Sequence, residues 1–328
     1  MNKIKSLGLR GLSLIVISTL GFTGCGGGGG SSSGSTSGLS FPSNAVKAEP
    51  TLENGKKVKD AVARNQTSGV PSLNSINATS NLNIALLSSK ISTIIFKHTK
   101  NIDLQSYSLN EAVNETNNCS GGGTLSYNGN VDESNGGSVT VTANNCNEGE
   151  VKINGSIYLT VGNYDSNADA FKDDTVKFTT DFTVTNLSDN SVEKISKNSY
   201  MAINVTTFDN YGSIKDFKLS ISLQATDGSE SYGVQDGIYY FKTDNNDLTM
   251  YQTSGKVYIN NLASYVNYDT NYDMSKTPFV FSTYYGTPKS GEARYNMANG
   301  GKVKIVAESN VAKTYVDADG DGTYELHE

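Results

Sequence analysis

The stretch VKINGSIYLTV, residues 151–161, decides the fold because two kinds of side chain alternate along it. One parity is apolar or glycine and comprises Val151, Ile153, Gly155, Ile157, Leu159 and Val161. The other parity is polar or amphipathic and comprises Lys152, Asn154, Ser156, Tyr158 and Thr160. A period of two is typical of a β-strand with one face on a core and the other in water. Such strands usually belong to antiparallel sheets.

The same alternation returns along the rest of the chain. It is clearest at 176–184, 201–205 and 217–223, and further candidate strands lie at 238–241, 256–260, 278–283 and 303–306. About ten to twelve short strands joined by Gly, Asn and Asp turns are typical of an all-β domain. We therefore expect a mainly β protein in which residues 119–328 form a large antiparallel sheet, either a sandwich or an incomplete barrel.

Residues 51–118 lack this period and are predicted to be a helical segment. Its strongest part is an amphipathic helix at 80–98, whose apolar stripe comprises Leu82, Leu86, Leu87, Ile91, Ile94 and Ile95. A weaker helix is expected within 51–66, and another is expected to begin at Ser108. Because the polar side of 80–98 carries few basic residues, we expect this helix to pack on the sheet and not to lie on a membrane surface.

Residues 1–24 have the pattern of a secretory signal peptide. Lys3, Lys5 and Arg10 precede an apolar run, 12–22, that is too short to span a bilayer permanently. The residues FTGC at 22–25 resemble the lipobox of bacterial lipoproteins. The resemblance implies that the peptide is cut before Cys25, which is diacylated and becomes the lipid-bearing N-terminus. The alternative is an ordinary signal peptide followed by an incidental cysteine.

A Gly/Ser-rich tether follows the lipidated cysteine, so that residues 25–50 form one unit of anchor and linker. The tether reads GGGGGSSSGSTSG from Gly26 to Gly38 and has no side chains that could form a core. In the lipoprotein family, glycine rather than aspartate after the cysteine permits sorting to the outer membrane. The resemblance thus implies an envelope protein that is anchored by lipid in the outer membrane and faces the periplasm or the cell surface.

The net charge limits the partners of the mature chain. Removal of residues 1–24 removes three basic residues and no acidic one, which leaves 23 basic and 33 acidic side chains and a net charge of −10. A surface this acidic repels phosphate, so we expect no nucleic acid partner. The lipobox resemblance implies contact with the membrane through the N-terminal lipid. The sequence does not identify a protein, glycan or lipid partner.

Two cysteines, Cys119 and Cys146, remain after lipidation. An even pair in an exported chain is interpreted first as a disulfide, and the two flank a predicted hairpin that would bring its ends together. A metal thiolate site and a redox pair are the alternatives. Residues 119–165 resemble uncharacterised β-rich envelope lipoproteins of Gram-negative bacteria. The resemblance rests on the order CSGGG, alternating strand, NNC and a further strand, and it implies no particular function.

Catalytic motifs are missing from the sequence. The two histidines, His98 and His327, form neither a zinc motif nor an evident serine hydrolase triad, and no phosphate-binding GxxxxGK[ST] occurs. Carboxylates are numerous, which keeps a polysaccharide hydrolase as one alternative. A half-barrel carrier of a hydrophobic ligand is the other. The prediction we favour is a non-enzymatic, lipid-anchored envelope protein with a structural or binding role.

The C-terminal residues DADGDGTYELHE, 317–328, resemble an EF-hand-type calcium loop. The resemblance implies ligands from six residues, which are Asp317, Asp319, Asp321, Thr323 through its carbonyl, Glu325 and Glu328. Gly322 allows the sharp turn, but no helix is predicted on either side. Any calcium affinity should therefore be weak, roughly 10⁻⁴–10⁻³ M. The alternative is a plain Asp/Gly turn.

The lipid anchor is testable by replacing its attachment residue. A Cys25→Ala precursor should lose lipid attachment and leave the membrane fraction, because the acyl chains supply the membrane affinity. Detergent partitioning of parent and variant measures the difference. Partitioning that is unchanged by the substitution would contradict the lipoprotein assignment.

Overall fold

A computed structural model describes residues 39–62, 112–132, 136–149, 151–165, 167, 170–208, 214–227, 230–244, 247–282 and 288–327. These residues are mainly β, as the alternating sequence predicts, and their strands belong to one 18-stranded sheet. Amphipathic helix 80–98 and the helix start at Ser108 lie outside the described residues, as do Cys25 and Glu328.

The strands are numbered in chain order. The first nine strands in the chain are β1 (Val46–Lys47), β2 (Ala112–Asn118), β3 (Thr124–Asp132), β4 (Gly136–Asn147), β5 (Val151–Asp165), β6 (Ala170–Phe178), β7 (Phe182–Asn186), β8 (Val192–Ile195) and β9 (Tyr200–Phe208). The others are β10 (Ile214–Asp227), β11 (Glu230–Asp244), β12 (Asp247–Ile259), β13 (Ser264–Tyr268), β14 (Phe279–Ser282), β15 (Pro288–Asn296), β16 (Lys302–Glu308), β17 (Val311–Asp317) and β18 (Leu326–His327). One α-helix, α1 (Leu52–Val62), and two 3₁₀ turns at Met274–Lys276 and Ala298–Gly300 complete the described elements.

Most of the sheet is an antiparallel meander, but in several places one strand pairs with two successive strands. β2, β3, β4 and β5 follow one another, and β5 then pairs with both β6 and β7. β10 likewise pairs with both β9 and β8 before β11 and β12 follow. β13 and β14 share β12 and β15, after which β16, β17 and β18 complete the order. The short β1 pairs parallel with β13, so the sheet is mixed and not wholly antiparallel.

The alternation in β5 corresponds to the two faces of the sheet. Val151, Ile153, Ile157, Leu159 and Val161 are buried, whereas Asn154 and Tyr158 are exposed. Gly155 stands where β5 changes its partner from β7 to β6. Its φ is +130°, and a Cβ there would lie 2.6 Å from the carbonyl oxygen of Asp181. A side chain would therefore prevent the close approach that the change of partner requires.

Two clusters of buried side chains cover the apolar face. The first is built on β3 to β11 and includes Leu125, Ile153 and Leu223. The second lies under α1 and on β9 to β17 and includes Val58, Val303 and Ile305. Leu219 and Tyr239 are half-buried and pack against both clusters. The apolar face is thus continuous across the middle of the sheet.

Helix α1 occupies most of the range 51–66 in which a weaker helix is predicted. It packs against β12, β16 and β17, with Val58 fully buried. Gly55 permits close contact, because a Cβ there would lie 2.7 Å from Cγ2 of Thr314 and 2.8 Å from Cγ2 of Val316. Within the described residues, no helix is both long and apolar enough to cross a membrane.

The N-terminal limit of the sheet differs from the sequence expectation. Residues 51–118 are predicted to be helical, but β2 (Ala112–Asn118) is a strand with seven residues in register with β3. Its sequence AVNETNN has few apolar side chains and shows no helical or strand period, so cross-strand pairing decides its structure. Among the described residues, the strands that precede Cys119 therefore include Ala112–Asn118, which lies within the segment predicted to be helical.

The disulfide between Cys119 and Cys146 is confirmed. The two Cα atoms are 5.4 Å apart, and both residues are buried beside the β3–β4 hairpin. The hairpin pairs Thr124 with Asn144 and Asp132 with Gly136, which brings its ends together as the spacing predicts. The bridge closes the open end of the hairpin, where β2 also begins its pairing with β3.

Removing this bridge should destabilise the protein. The cysteines are separated by 27 residues, and for a loop of this size the chain-entropy model gives a loss of roughly 3–4 kcal/mol. Urea unfolding of Cys119→Ala/Cys146→Ala under oxidising conditions measures it. The difference from the parent should largely disappear when both are reduced. A loss below about 1 kcal/mol would contradict the expected role of the bridge.

Candidate functional site

The C-terminal loop runs from the end of β17 to β18 and carries the predicted calcium ligands. Asp317 is the last residue of β17 and is completely buried, whereas Asp319, Asp321 and Glu325 are exposed. The chain turns at Gly320 and Gly322, which have φ values of +81° and +95°. Glycine adopts such values without strain, so Gly322 has the conformation that its place in the pattern predicts.

Backbone N–H groups hold the carboxylates of this loop in place. Asp317 accepts from the N–H of Gly320 at 2.7 Å and from that of Gly322 at 3.1 Å, one on each oxygen. Glu325 accepts from the N–H of Ala318 at 3.1 Å. Asp319 and Asp321 each accept from the N–H two residues further on, at 3.1 Å and 2.7 Å. The loop is therefore organised around its acidic side chains.

These hydrogen bonds bring four carboxylates together. One oxygen from each of Asp317, Asp319, Asp321 and Glu325 lies within 4.8 Å of all the others. Calcium binds 6–8 oxygens at about 2.3–2.6 Å, so oxygens on one coordination shell are separated by up to about 5 Å. The donor set and spacing therefore fit a hard divalent cation. The N–H of Thr323 donates to Asp321, and Glu328 lies outside the described residues.

The two other acidic loops with D-x-N-x-D spacing use their carboxylates differently. Asp269 is buried and accepts from Nζ of Lys302 at 2.9 Å and from the N–H of Asn271 at 3.2 Å. Burial alone would raise the pKa of Asp269, but these hydrogen bonds and the charge of Lys302 outweigh it and lower the pKa. Asp165 pairs with Lys172 at 2.7 Å. Among the described residues, only the loop at 317–325 gathers four carboxylates.

A row of cationic and aromatic side chains lies beside this loop on the polar face of the sheet. We name it the cation–aromatic row and define it as Arg294, Lys304, Tyr315 and His327, which are consecutive cross-strand partners on β15, β16, β17 and β18. Nζ of Lys304 lies 5.1 Å from the ring centre of Tyr315, and the rings of Tyr315 and His327 stack at 6.1 Å. Such contacts favour one fixed arrangement of the four side chains.

Two further tyrosines cover this row. The guanidinium of Arg294 lies 4.5 Å from the ring centre of Tyr272, and Nζ of Lys304 lies 4.3 Å from that of Tyr324. Tyr324 belongs to the acidic loop, so its ring connects the loop to the row. Burial raises the pKa of Tyr324, and the carboxylate of Asp317 acts in the same direction. No pattern in the sequence predicts this row, because its members come together only through cross-strand register.

Asp174 on β6 is an isolated buried acid. It is 2% exposed and lies opposite Val161 and Ile203. Within the described part of the chain, neither of its carboxylate oxygens has a hydrogen-bond partner. Burial and the adjacent charge of Asp173 raise the pKa of Asp174 well above its ordinary value. The alternation of β6 places it on the apolar face, where an aspartate is energetically unfavourable.

Comparison with known proteins assigns neither a family nor a function to the chain. No family model matches the chain, and neither a curated protein nor a solved structure shows significant similarity to it. Function must therefore be argued from the described residues themselves.

The buried acid generates a pH-dependent prediction. An aspartate whose pKa is raised in the folded state has no unfavourable effect on stability at low pH, where it is protonated in both states. As the pH rises from the ordinary aspartate range towards the folded-state pKa, the unfolded state ionises first and the free energy of unfolding falls. Asp174 should therefore oppose folding at neutral pH. Asp174→Asn should raise the melting temperature by several degrees at about pH 7 and have little effect at about pH 3.

A half-buried acid on another strand supplies the control for this measurement. Asp216 accepts a hydrogen bond from Oγ1 of Thr207 at 2.6 Å, so Asp216→Asn should not stabilise the protein. Thermal unfolding of both variants across the pH range separates the two positions. An Asp174→Asn effect of equal size at low and neutral pH would show that packing, and not ionisation, is responsible.

Proposed function

We propose that this chain is a lipid-anchored, non-enzymatic protein of a Gram-negative cell envelope whose sheet ends in a weak calcium site. The observation that carries the calcium proposal is the convergence of four carboxylates within 4.8 Å in the loop at 317–325. Close carboxylates repel one another unless a cation or a proton lies among them. The structural or binding role is inferred from the absence of a catalytic motif in the sequence.

The affinity follows from the exposure of the ligands. Asp317 is buried and fixed at the end of a strand, but Asp319, Asp321 and Glu325 are exposed. The loop is followed by β18, whose two residues pair with Tyr315 and Val316, and not by a helix. Exposed ligands next to so short an element must be ordered when calcium binds, which lowers affinity. We therefore expect dissociation constants of about 10⁻⁴–10⁻³ M, as in extracellular calcium modules.

The N-terminal part of the described chain sets the length of the proposed tether. The ring of Phe41 stacks on that of Tyr258 at 4.5 Å, and Nε2 of Gln224 donates to the carbonyl of Ser40 at 2.8 Å. These contacts fix the start of the body 16 residues after Cys25 in the sequence. At a maximum of about 3.3–3.6 Å per residue, the lipid would lie within about 50–60 Å of this contact.

The incomplete barrel is our proposal for the shape of the sheet. From β2 to β18 the pairings form one continuous ladder, which favours a single curled sheet over two packed sheets. The apolar side chains lie on one face of it. A described pocket of about 200 Å³ is lined by Lys57, Glu230, Asn260 and Asn261. The polar lining of this one pocket does not suit a hydrophobic ligand.

Calorimetry with calcium tests the proposed site. The protein is the mature chain, residues 25–328, carrying Cys25→Ala to keep it in solution. It should bind calcium with a dissociation constant of about 10⁻⁴–10⁻³ M. Asp319→Ala/Asp321→Ala should abolish the heat, because it removes two of the four converging carboxylates.

A matched double variant controls for the loss of negative charge. Asp165→Ala/Asp273→Ala removes one acid from each of the other D-x-N-x-D loops, where Asp165 pairs with Lys172 and Asp273 caps the turn at Met274–Lys276. Its calcium heats should equal those of the parent. Heats that are equal in the parent and in the Asp319/Asp321 variant would mean that the loop is only a turn.

A further inference from the structure

Strand β2 is an edge of the sheet. Among the described strands it pairs with β3 alone, in an unbroken antiparallel register. The N–H of Cys119 donates to the carbonyl of Gly123 at 3.0 Å, and this pair continues the same register. Hydrogen-bonded pairs alternate along an antiparallel ladder, so the residues at 113, 115 and 117 bond to β3. The backbone N–H and C=O groups at 114, 116 and 118 therefore point away from β3.

This outer edge of β2 is open to a further strand. Within the described parts of the chain, no backbone hydrogen bond reaches the outward groups at 114, 116 and 118. Asn114, Thr116 and Asn118 are also exposed. An edge with unpaired backbone groups is a template for pairing with another chain. The sequence of β2, AVNETNN, has neither the proline nor the lysine that commonly prevents such pairing, so its one protective charge is Glu115.

Glu115 and Asn117 determine which strand can pair at this edge. They lie opposite Tyr127 and Leu125, which are buried, and are themselves half-buried. Nδ2 of Asn117 is buried and has no hydrogen-bond partner in the described structure. An incoming strand that fits must therefore offer an acceptor beside Asn117, and it must not bring a second carboxylate opposite Glu115.

A second copy of β2 meets both requirements when the two strands run antiparallel about a two-fold axis at Thr116. Thr116 then exchanges backbone hydrogen bonds with Thr116 of the partner subunit, and Asn114 lies opposite the partner's Asn118. Glu115 lies opposite the partner's Asn117, with Cα atoms about 4.5 Å apart. Rotation of the Asn117 amide about its last torsion angle would bring Nδ2 to this carboxylate. A register shifted by two residues would instead set the two copies of Glu115 against each other.

We propose that β2 is a dimerisation edge, at which two copies of this chain pair β2 with β2 and extend the sheet across a two-fold axis. The occupant is a second copy because the residues 114–118 are complementary to themselves in charge and hydrogen bonding. The apolar stripe predicted at 80–98 would meet only polar side chains here. Pairing of so few residues is small beside a stable interface of about 1,200–2,000 Å², so the dimer should be weak. This inference rests on neither the calcium site nor the lipid anchor.

Disulfide trapping tests the proposed register. The protein is the mature chain, residues 25–328, with Cys25→Ala, in which Cys119 and Cys146 are already bridged. Thr116→Cys would place two thiols on Cα atoms about 5.5 Å apart across the axis, which a disulfide can span. Oxidation should give a covalent dimer whose yield rises with protein concentration.

Asn114→Cys is the matched control for trapping. It lies on the same exposed edge, but its two copies would be four residues out of register and about 14 Å apart, which is too far for a disulfide. It should therefore not link to itself. A mixture of Asn114→Cys with Asn118→Cys should link, because these two positions face each other.

Sedimentation of Thr116→Pro tests the backbone pairing. The N–H at 116 points away from β3, so proline removes the bond to the partner and none within the sheet. Thr116→Val is the control, because both variants lose the hydroxyl contact with Ser126 but valine keeps the N–H. The proline variant should dimerise at least tenfold more weakly than the valine variant. Asn117→Asp, which brings a carboxylate opposite the partner's Glu115, should also weaken the dimer, and more so at low salt.

The outcomes decide for or against the dimer. Covalent dimers of Thr116→Cys but not of Asn114→Cys, with a weakened dimer in Thr116→Pro, support the inference. Equal linking of both cysteine variants, or linking of Asn114→Cys alone, overturns it. So does a parent that stays monomeric while Thr116→Cys fails to link, a result that leaves the calcium site and the anchor untouched. Slow hydrogen exchange of the N–H groups at 114 and 116 in a monomer would show that this chain covers its own edge, which also overturns the inference.

Discussion

The register between β16 and β17 is the constraint on which both the core and the candidate site depend. It sets Val303 opposite Val316 and Ile305 opposite Thr314 on the buried face. The same register sets Lys304 opposite Tyr315 on the polar face. A slip of one residue would exchange the two faces along the whole strand, burying lysines and exposing valines. Packing of the apolar face therefore positions the cationic and aromatic side chains on the other face. Contacts among those side chains are not needed to set the register.

Local patterns in the sequence predicted the parts of the structure that depend on local chemistry. The alternation of β5 was visible because burial repeats every second residue, and the disulfide was visible because a hairpin lies between its cysteines. The acidic loop is likewise contained in one short stretch of chain. Its converging carboxylates are in the described structure, whereas calcium binding remains a prediction.

Features that depend on distant pairing could not be predicted in this way. Gly155 looked like one more member of the apolar face, although its positive φ marks the change of partner from β7 to β6. β2 has too few apolar residues for any period to be visible. The cation–aromatic row runs from Arg294 to His327 and depends on the registers of three strand pairs, β15–β16, β16–β17 and β17–β18. No pattern in the sequence predicts those registers.

The last strand shows how weak elements depend on their neighbours. β18 has two residues in the ladder, which is too little pairing to offset by itself the conformational entropy of the segment. The stack of His327 on Tyr315 and the contact of Tyr324 with Lys304 add to it, but the four nearby carboxylates oppose closure of the loop. Calcium at ten times its dissociation constant would stabilise the closed loop by about 1.4 kcal/mol. That is comparable to the cost of ordering one residue, so calcium would add only a small increment to the contacts that already hold β18.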